Sequence, residues 1–521
     1  MKKARFWNAT MSLLLVFVLG LSLSACGAPS NGTGVGENGA GATGNTDAGR
    51  TDIVYCLGGD INSLDPTQST NGTTTVVYRQ LYDTLLAVAP DGTLEPRLAE
   101  SWDIAEDGMS YTFHLRSDAY CHNGEPVTAE DVATSLNETI LSVAVGPTMV
   151  NMKDAEVVDE STVKLNMTAP YSAALEVLAK RGFIYYASTE NFDTNPIGTG
   201  PYQFVSRSSG ENIVLKACDN YYRGEPAIED LTFRIIADAN TQLAALQKGE
   251  VDFIHSAALT GKDTVEADPN LVWQEFALRD TYYITMCELS APFDNVLARK
   301  AVQSCVNKEA MLLGGSEGRG QVLNTLFPAT LTGSPEESYT PPYEYDLEQA
   351  KEYLEQYKAE TGATTVPVNI LMSESTSNRN AATTLEGMLR EVGFDVTTET
   401  VASQAFWASL MSSNYQIAIG DWGFPIADCD SVFPFIHSST AGGNNFSPVI
   451  DDVVDENLEL GRSSSDPDER EEAYRNVQAA VDENAYYIPL YSPNSANAYN
   501  KNLKGVQVND MSEYFVYDWS W

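Results

Sequence analysis

Residues 366–401 have the sequence VPVNILMSESTSNRNAATTLEGMLREVGFDVTTETV, and this stretch decides the fold class. Its apolar ends, 366–372 and 394–401, predict strands, and the segment between them predicts a helix that runs toward Gly393. A further helix and a strand over 415–419 follow along the chain. Strands that alternate with helices in this way indicate an α/β fold with a mixed sheet.

Similar signals extend outward toward both ends of the chain. Residues 128–131 resemble a capping box ahead of an amphipathic helix, and a second helix is predicted to begin at Asp346. Residues 53–57 predict a strand, and 73–86 have helical spacing. Apolar and polar residues alternate over 111–115, which predicts a strand with one buried face.

The composition excludes several classes of protein. The chain has 521 residues with 72 acidic and 31 basic side chains, so its formal net charge is −41. Such a charge repels phosphate backbones, which excludes nucleic-acid binding. The length and a 43% hydrophobic content indicate several folded domains. Four histidines in the whole chain argue against a multi-histidine metal site.

The N-terminus has the pattern of an export signal. Three basic residues among the first five precede a nearly apolar segment over 11–23. The sequence LSACG at 23–27 resembles the bacterial lipoprotein box, in which the peptidase cuts before the cysteine that carries the lipid. The chain is therefore predicted to have a signal peptide over 1–25 and a lipid on Cys26. The alternative is an ordinary secretory signal with a chance cysteine.

Residues 26–51 are rich in Gly, Asn, Ala and Thr and lack an apolar period. This composition predicts a flexible tether between the membrane and the folded body. It includes Gly34, Gly36 and Gly39, formally a G-x-G-x-x-G pattern, but no strand precedes it. The protein is thus expected outside the cytoplasm, held to the cell membrane by its lipid.

Motifs for catalysis fail in their context. Residues 314–318 match G-x-S-x-G, but a helix-like run precedes them where a nucleophile elbow needs a strand. The six cysteines after Cys26 form no C-x-x-C pair, which excludes the usual zinc and redox motifs. The chain is predicted not to be an enzyme and to need no cofactor.

Several segments occur in the order found in one large family. They are 94–102, 111–116, 123–132, 196–202, 220–222, 244–246, 249–252, 291–296, 301–302, 345–346 and 488–490. Together they resemble the solute-binding proteins of ABC transporters, in the family that serves peptides, nickel and related solutes. The resemblance covers nearly all of residues 52–520.

The resemblance implies a periplasmic-binding-protein-like fold with two lobes, mixed sheets and three domains. Domain I is expected to be discontinuous, over 52–85, 197–290 and 485–521. Domain II is expected over 86–196 and domain III over 291–484. The chain would cross between lobes more than once, so closure on a ligand could be nearly rigid-body.

The implied function is capture of a peptide or related small solute in the interlobe cleft and delivery to transmembrane permease subunits. The protein is expected to be a monomer. Gly198 and Gly200, on either side of Thr199, suit a tight crossing of backbone segments that other residues would strain. The rival from another class is an exported hydrolase, which would need Ser316 as its nucleophile. A sensor or chaperone with the same fold is a third reading.

The segment after the 415–419 strand bears on the ligand. In peptide-binding members, an aspartate shortly after a Gly-Trp segment holds the N-terminal amine of the peptide. Pro425 is at the matching position here. A proline offers no carboxylate, so Asp421, Asp428 or Asp430 would have to substitute.

The pattern Trp422-Gly-x-Pro425 is similar to the nickel-binding branch of the family. There an arginine holds the carboxylates of a metal chelator, and the segment 179–183 resembles the one that carries it. Arg181 is therefore the leading pocket residue, since a guanidinium offers a fork that fits a carboxylate. The metal-contacting histidine of that branch corresponds weakly to His437. A metal chelate or another carboxylate-bearing solute is thus the alternative ligand to a peptide.

Further contacts are expected around the cleft. Trp422 suits a cleft wall, because its flat ring offers a large contact area at little entropy cost. Threonine and asparagine residues lie between the first strand and helix, where the first lobe of the family reaches its ligand. Two more polar residues follow the last core strand. These candidates are Asn71, Thr73, Thr75, Tyr491 and Asn494.

Overall fold

The computed structural model of the chain describes residues 49–89, 92–507 and 514–521. Over these residues the strands are β1 (Asp52–Leu57), β2 (Asp83–Thr84), β3 (Leu86–Val88), β4 (Leu94–Pro96), β5 (Ala99–Ile104), β6 (Ser110–Leu115), β7 (Met152–Asp159), β8 (Thr162–Met167), β9 (Phe183–Ile184), β10 (Tyr202–Ser208), β11 (Asn212–Ala217), β12 (Asp230–Ile235), β13 (Phe253–Ile254), β14 (Leu271–Ala277), β15 (Thr281–Met286), β16 (Gly320–Val322), β17 (Pro367–Ser373), β18 (Asp395–Val401), β19 (Ile417–Trp422) and β20 (Tyr487–Asn500). The α-helices are α1 (Gly72–Leu81), α2 (Ala129–Leu141), α3 (Ala174–Arg181), α4 (Ala239–Gln247), α5 (Lys262–Glu266), α6 (Val296–Cys305), α7 (Lys308–Ser316), α8 (Leu347–Thr361), α9 (Thr376–Val392), α10 (Ser403–Met411), α11 (Phe433–Ile436), α12 (Asp452–Ser463) and α13 (Pro467–Asn484).

The predicted signal peptide and Cys26 lie outside the described residues, as does most of the predicted tether. Arg50, near the end of that tether, is tied to the folded body. Its guanidinium bonds both carboxylate oxygens of Asp252 at 2.6 and 2.7 Å and forms a second pair with Asp52. In the part of the chain that the structure describes, no helix combines the length and apolarity that a membrane span requires.

A mixed sheet runs through the centre of the structure. Its strand order is β10-β11-β12-β1-β13-β20-β15-β19-β17-β18, and β14 and β16 also pair with β20. The pairs of β1 with β12 and β13, and of β17 with β18 and β19, are parallel. The other pairs are antiparallel. The predicted α/β fold with a mixed sheet is therefore confirmed, including the β17-α9-β18 unit of the 366–401 stretch.

A second sheet is separate and antiparallel, with the order β5-β6-β8-β7. In β6 the side chains of Tyr111, Phe113 and Leu115 are buried and the residues between them are half-buried, as the alternation predicted. The helix α2 packs against β7. It begins with the predicted capping box, since Thr128 accepts from the Asp131 N–H and the Asp131 side chain accepts from the Thr128 N–H.

The two faces of the strands β15 and β19 pack against different hydrophobic clusters. Ile284 and Ile419 point into one cluster with the helices α6 to α9, whereas Tyr283 and Ala418 point into the other. Because side chains alternate along a strand, Asp421 at the end of β19 shares the face of Ile419. Trp422 shares the opposite face. A third cluster gathers the β5–β8 sheet with α2 and α3.

The first helix is shorter than its spacing predicted. Helical spacing extends over 73–86, but α1 ends at Leu81, and Tyr82 is already extended. The prediction for the last residues was wrong because a tertiary contact replaces the helical bonds there. The Asp83 N–H donates to the Thr199 hydroxyl at 3.1 Å, and short strands follow. The other helix signals were correct, since Asp346 caps α8 and Gly393 ends α9 at a φ of 114°.

Gly198 and Gly200 lie where two backbone segments cross in close contact. A Cβ atom on Gly198 would lie 1.9 Å from the Leu81 carbonyl oxygen, and one on Gly200 would lie 2.6 Å from the Leu81 carbonyl carbon. The predicted tight crossing is confirmed. His122 fixes the segment that carries both glycines, since its Nδ1 accepts from the Gly198 N–H at 3.1 Å and its Nε2 donates to the Gly200 carbonyl at 3.0 Å. Burial lowers the pKa of His122 to about 4, so the ring is neutral.

The cysteines and the G-x-S-x-G segment have structural surroundings. The six cysteines of the described residues are buried free thiols. Ser316 is the last residue of α7 and donates its hydroxyl to the Arg319 carbonyl at 2.7 Å. A helix, not a strand, precedes it, which is the context that argued against a nucleophile elbow.

Candidate ligand-binding site

Arg181 is the last residue of α3 and is buried, with 6% of its surface exposed. Its Nη1 donates to the Thr75 hydroxyl and its Nη2 donates to the Thr70 carbonyl, each at 3.2 Å. These bonds hold the end of α3 against the start of α1. The sequence predicted Arg181 and Thr75 as separate ligand contacts, and the structure places them side by side.

Asn71 and Thr73 belong to the same helix start. The Asn71 side chain accepts from the Thr74 N–H at 3.3 Å, and the Asn71 carbonyl accepts from the Thr75 hydroxyl at 3.0 Å. Asn71 is exposed and Thr73 is half-buried. Helix capping accounts for the asparagine. Ligand contact by these two residues stays a prediction.

A cavity of about 100 Å³ lies beside Arg181 and Trp422. Its other walls come from residues near α3 and from the segment after β19, and most of them are apolar. They include Val150, Val177, Ile426 and Pro434. The structure thus brings together the two residues that the sequence ranked highest for ligand contact, although they are far apart in the chain.

Trp422 is held in place from two sides. Its indole N–H donates to the Ser431 carbonyl at 3.0 Å. Its ring stacks on Phe435 with the ring centroids 5.5 Å apart. Because the indole donor is satisfied within the protein, the ring contributes an apolar surface to the cavity.

Two carboxylates of the segment after β19 form close pairs with arginines. Both oxygens of Asp428 accept from Arg470 Nη2, at 2.6 and 2.7 Å. Asp430 accepts from Arg462 Nε at 2.7 Å and from its Nη2 at 3.1 Å. Sequence reasoning considered Asp428 and Asp430 as substitutes for the carboxylate missing at Pro425. Because both carboxylates are already paired with arginines, neither is favoured to hold the amine of a ligand.

Asp421, the third possible substitute, lies near Asp280. A Cβ on Gly423, two residues after Asp421, would be 3.1 Å from Asp280 Oδ1. Burial raises the pKa of both carboxyl groups, that of Asp280 to about 6. The charge of Asp421 raises the Asp280 pKa further, and Lys180 opposes it. Burial of both carboxyl groups favours their protonated forms or a cationic group of a ligand nearby.

Hydrogen bonds join the α3 region to residues 332 and 462. The Ser172 N–H and hydroxyl both donate to the Arg462 carbonyl at 3.0 Å. The Thr332 hydroxyl donates to Glu176 Oε1 at 3.3 Å. Burial raises the Glu176 pKa to about 7, and the charge of Asp428 adds to this, while Arg279 and Arg470 oppose it.

We predict that Glu176 makes the stability of the folded protein depend on pH. Its folded pKa of about 7 exceeds the ordinary 4.5, so the fold favours the protonated acid. The stability that it contributes is therefore complete below about pH 4.5 and is lost as the pH rises through 7. We expect Glu176→Gln to match the parent in melting temperature at pH 5 and to exceed it by a few degrees at pH 8.

The test compares melting curves of parent and variant between pH 5 and pH 8. The difference between them isolates Glu176 from Glu288, Asp280 and Asp482, whose raised pKa values of about 7, 6 and 6 fall in the same range. Glu160→Gln, at an exposed turn, is the matched control and should give a flat difference. A flat difference for Glu176→Gln as well would contradict the prediction.

Tyr491 and Asn494 lie on β20, away from the walls of this cavity. Tyr491 is fully buried and stacks on Tyr282, with the centroids 5.0 Å apart. The Asn494 side chain donates to Glu275 Oε1 at 2.9 Å. The structure gives both residues packing contacts within the central sheet, and their role as ligand contacts stays a prediction.

His437, the weak metal candidate, is also a packed residue. Its ring stacks on Phe433 at 4.1 Å, its Nδ1 lies 2.7 Å from the Ser439 hydroxyl, and its Nε2 lies 3.6 Å from Glu459. Over the described residues, no group of three or more His, Cys, Asp or Glu side chains could hold a metal ion.

Several residues at the site escaped the sequence reasoning. Glu176 precedes Lys180 by four residues, a spacing that places both on one helix face and was an available signal. Val177 and Ile426 carried no such signal, because apolar residues in a helix or after a strand are equally expected in a core. Arg462 is distant in the sequence from most of the other site residues, and only the folded structure brings it close to them.

The mixed α/β architecture places a buried arginine beside an apolar cavity. The fold of the chain is that of a solved structure, the ABC transporter substrate-binding protein CtaP from Listeria monocytogenes. The TM-score is 0.80 at 22% identity, covering 90% of this chain and 99% of that one.

The family model of bacterial extracellular solute-binding proteins, family 5 Middle, matches residues 93–444. The chain belongs to this family, and is thus a substrate-binding protein of the ABC importer class. It is 26% identical to heme-binding protein A of Haemophilus influenzae, over 84% of this chain and 86% of that protein. It is 25% identical to the dipeptide-binding protein of Escherichia coli, over 89% of this chain and 93% of that protein.

Proposed function

We propose that the protein is a lipid-anchored binding protein that captures a peptide or related small solute beside Arg181 and delivers it to the permease of an ABC importer. The observation that carries the proposal is the meeting of Arg181 and Trp422 at one cavity. A buried guanidinium favours a carboxylate, and an indole ring favours an apolar group. The similarity to a dipeptide-binding protein supports a solute that has both. The anchor is inferred from the Cys26 segment.

The division into three domains belongs to the same proposal. Domain I comprises 52–85, 197–290 and 485–521, domain II 86–196 and domain III 291–484. The hydrophobic clusters support the division only in their majority, since each also includes residues from across a boundary, such as Ile426 in the cluster of domain II and Ile488 in that of domain III. In this arrangement Arg181 belongs to domain II and Trp422 to domain III, so a solute between them would favour the closed form.

A metal chelate or another carboxylate-bearing solute is the second candidate. It is favoured by Pro425 at the position of the amine-binding aspartate and by the commitment of Asp428 and Asp430 to arginines. In this reading Arg181 holds carboxylates of the chelator rather than of a peptide. The apolar wall of the cavity favours a peptide over a small polar chelate, which is why the peptide comes first.

A thermal-shift screen of the full chain tests the proposal. The panel contains mixed di- to hexapeptides, single amino acids, heme, and nickel with and without histidine or polycarboxylate chelators. A ligand that binds only the folded state stabilises it by about 2.7 kcal/mol at a hundredfold excess over Kd. We expect peptides to raise the melting temperature by a few degrees. A shift with nickel chelates alone would select the second candidate, and no shift with any member would reject both.

A further inference from the structure

The side chain of Glu176 on α3 lies among groups from distant parts of the chain. Its Oε1 accepts from the Thr332 hydroxyl at 3.3 Å, and its Oε2 is buried and accepts no hydrogen bond from the residues that the structure describes. On the same helix, Lys180 is the charged residue one turn further along. A buried carboxylate with so few hydrogen bonds disfavours the ionised form, so this contact is favourable only while Glu176 carries a proton.

The groups that face Glu176 from other elements add to this preference. Burial is the main cause that raises the Glu176 pKa to about 7, the charge of Asp428 adds to it, and Arg279 and Arg470 oppose both. Asp428 is itself held by Arg470 Nη2 at 2.6 and 2.7 Å, although burial raises its pKa as well. Cys429 is a further titratable neighbour, and burial raises its pKa so that the thiol stays neutral. Glu176 has no such arginine pair among the described residues, which is why its charge is the one expected to change near neutral pH.

The contact joins two of the proposed domains. Glu176 belongs to domain II, whereas Thr332 and Asp428 belong to domain III and are held together there. The Thr332 N–H donates to the Ala427 carbonyl at 2.7 Å, and the Cys429 N–H donates to the Thr332 carbonyl at 3.2 Å. Movement of domain III away from α3 would thus withdraw Thr332 and Asp428 together and bring water to Glu176, where its ionised form is favourable.

A groove with a volume of about 470 Å³ borders this contact. One wall is the turn between β5 and β6, and the other includes Arg470 and residues between α12 and α13. Solvent in the groove therefore reaches the arginine that holds Asp428. Because the two walls belong to different proposed domains, the width of the groove measures how closely those domains approach each other.

We propose that Glu176 is a proton-binding site that couples closure of the two proposed lobes to pH. The protonated acid keeps α3 in contact with Thr332 and Asp428, and the ionised acid, repelled by Asp428, favours their separation. This inference rests on the proposed function, in which closure captures the solute, and adds a control of that closure. The protein would hold its solute more tightly in acidic surroundings and release it more readily as the pH rises.

The size of the effect follows from the two surroundings of the acid. With a pKa of about 7 in the contact and the ordinary 4.5 when exposed, Glu176 stabilises the contact fully below about pH 4.5 and loses this effect as the pH rises through 7. The ratio of closed to open molecules should therefore fall about tenfold between pH 6 and pH 8.

Distances between two spin labels measure closure in the full chain without any solute. The labels are attached through Glu106→Cys and Ser465→Cys, at exposed positions on opposite walls of the groove. The six cysteines of the described residues are buried, and the protein without the two substitutions reports any labelling of them. We expect the short distance to dominate at pH 6 and a longer distance to gain population at pH 8.

Variants in the labelled background separate Glu176 from other acids that titrate in this range. Glu176→Gln keeps the shape of the side chain without its charge, so the short distance should dominate at both pH values. Glu160→Gln, at an exposed turn, is the control and should respond to pH as the parent does. If Glu176→Gln fails to fold, Glu176→Ala replaces it and should also remove the pH dependence.

The outcomes distinguish this inference from the proposed function. A shift to longer distances at pH 8 that Glu176→Gln abolishes supports the proton-binding site. Equal distance distributions at both pH values in the parent, or a shift that persists in Glu176→Gln, overturn it and leave the proposed function standing, because the measurement involves no solute. Failure of every solute in the thermal-shift screen would reject the proposed function without altering these distances.

Discussion

Arg181→Ala is expected to weaken solute binding at least about 100-fold, or about 2.8 kcal/mol. The solute is the one that raises the melting temperature most in the thermal-shift screen. The guanidinium is buried and faces the cavity, so a carboxylate there would lose its charge-assisted bonds and gain no water in return. Removal of the bonds to Thr75 and Thr70 should also lower the melting temperature. Each such bond contributes only about 1 kcal/mol, so the protein should remain folded.

Calorimetric titration with the solute that gives the largest thermal shift measures the effect. Arg181→Lys keeps the charge but not the planar fork, and should recover only part of the affinity. Arg390→Ala is the matched control, since Arg390 lies on α9 and pairs with Glu386 at an exposed position. An affinity of Arg181→Ala equal to that of the control would remove Arg181 from the site.

Local signals in the chain were sufficient for the fold class. The β17-α9-β18 unit could be predicted because its apolar periods change at Gly393, where the helix ends in a conformation that favours glycine. The capping box of α2 likewise depends on residues only three positions apart. The end of α1 could not be predicted, because Asp83 is drawn out of helical geometry by Thr199, a partner that only the fold brings near.

The residues of the candidate site also differ in whether the sequence could identify them. Arg181 and Trp422 were found through resemblance to a family, since nothing local distinguishes an arginine in a pocket from one in an ion pair. Asp428 and Asp430 illustrate that difficulty. In the sequence each is a candidate for holding an amine, but in the structure each pairs with an arginine. The apolar wall of the cavity could not be predicted, since Val177 and Ile426 are residue types equally expected in a hydrophobic core.

Gly198→Ala is expected to lower the free energy of unfolding by about 3 kcal/mol. Its Cβ would approach the Leu81 carbonyl oxygen to 1.9 Å and Tyr82 Cδ1 to 2.9 Å, well inside contact distance. Leu81 cannot yield easily, because the same carbonyl accepts from the Gly200 N–H at 3.0 Å. The two segments would have to separate, with loss of the bond from the Gly200 N–H to the Leu81 carbonyl that joins them.

Denaturant unfolding of the variant and of Gly387→Ala measures this cost. Gly387 lies within α9, and a Cβ added there would meet no atom within 4 Å, so its alanine variant should gain about 0.5–1 kcal/mol from helix propensity. The same chemical change would thus have opposite signs at the two positions, which a general effect of alanine on the unfolded chain cannot produce. A Gly198→Ala protein as stable as the parent would mean that the crossing is loose. In that case the approach of the backbones at Gly198 could not restrict how the proposed lobes move on closure.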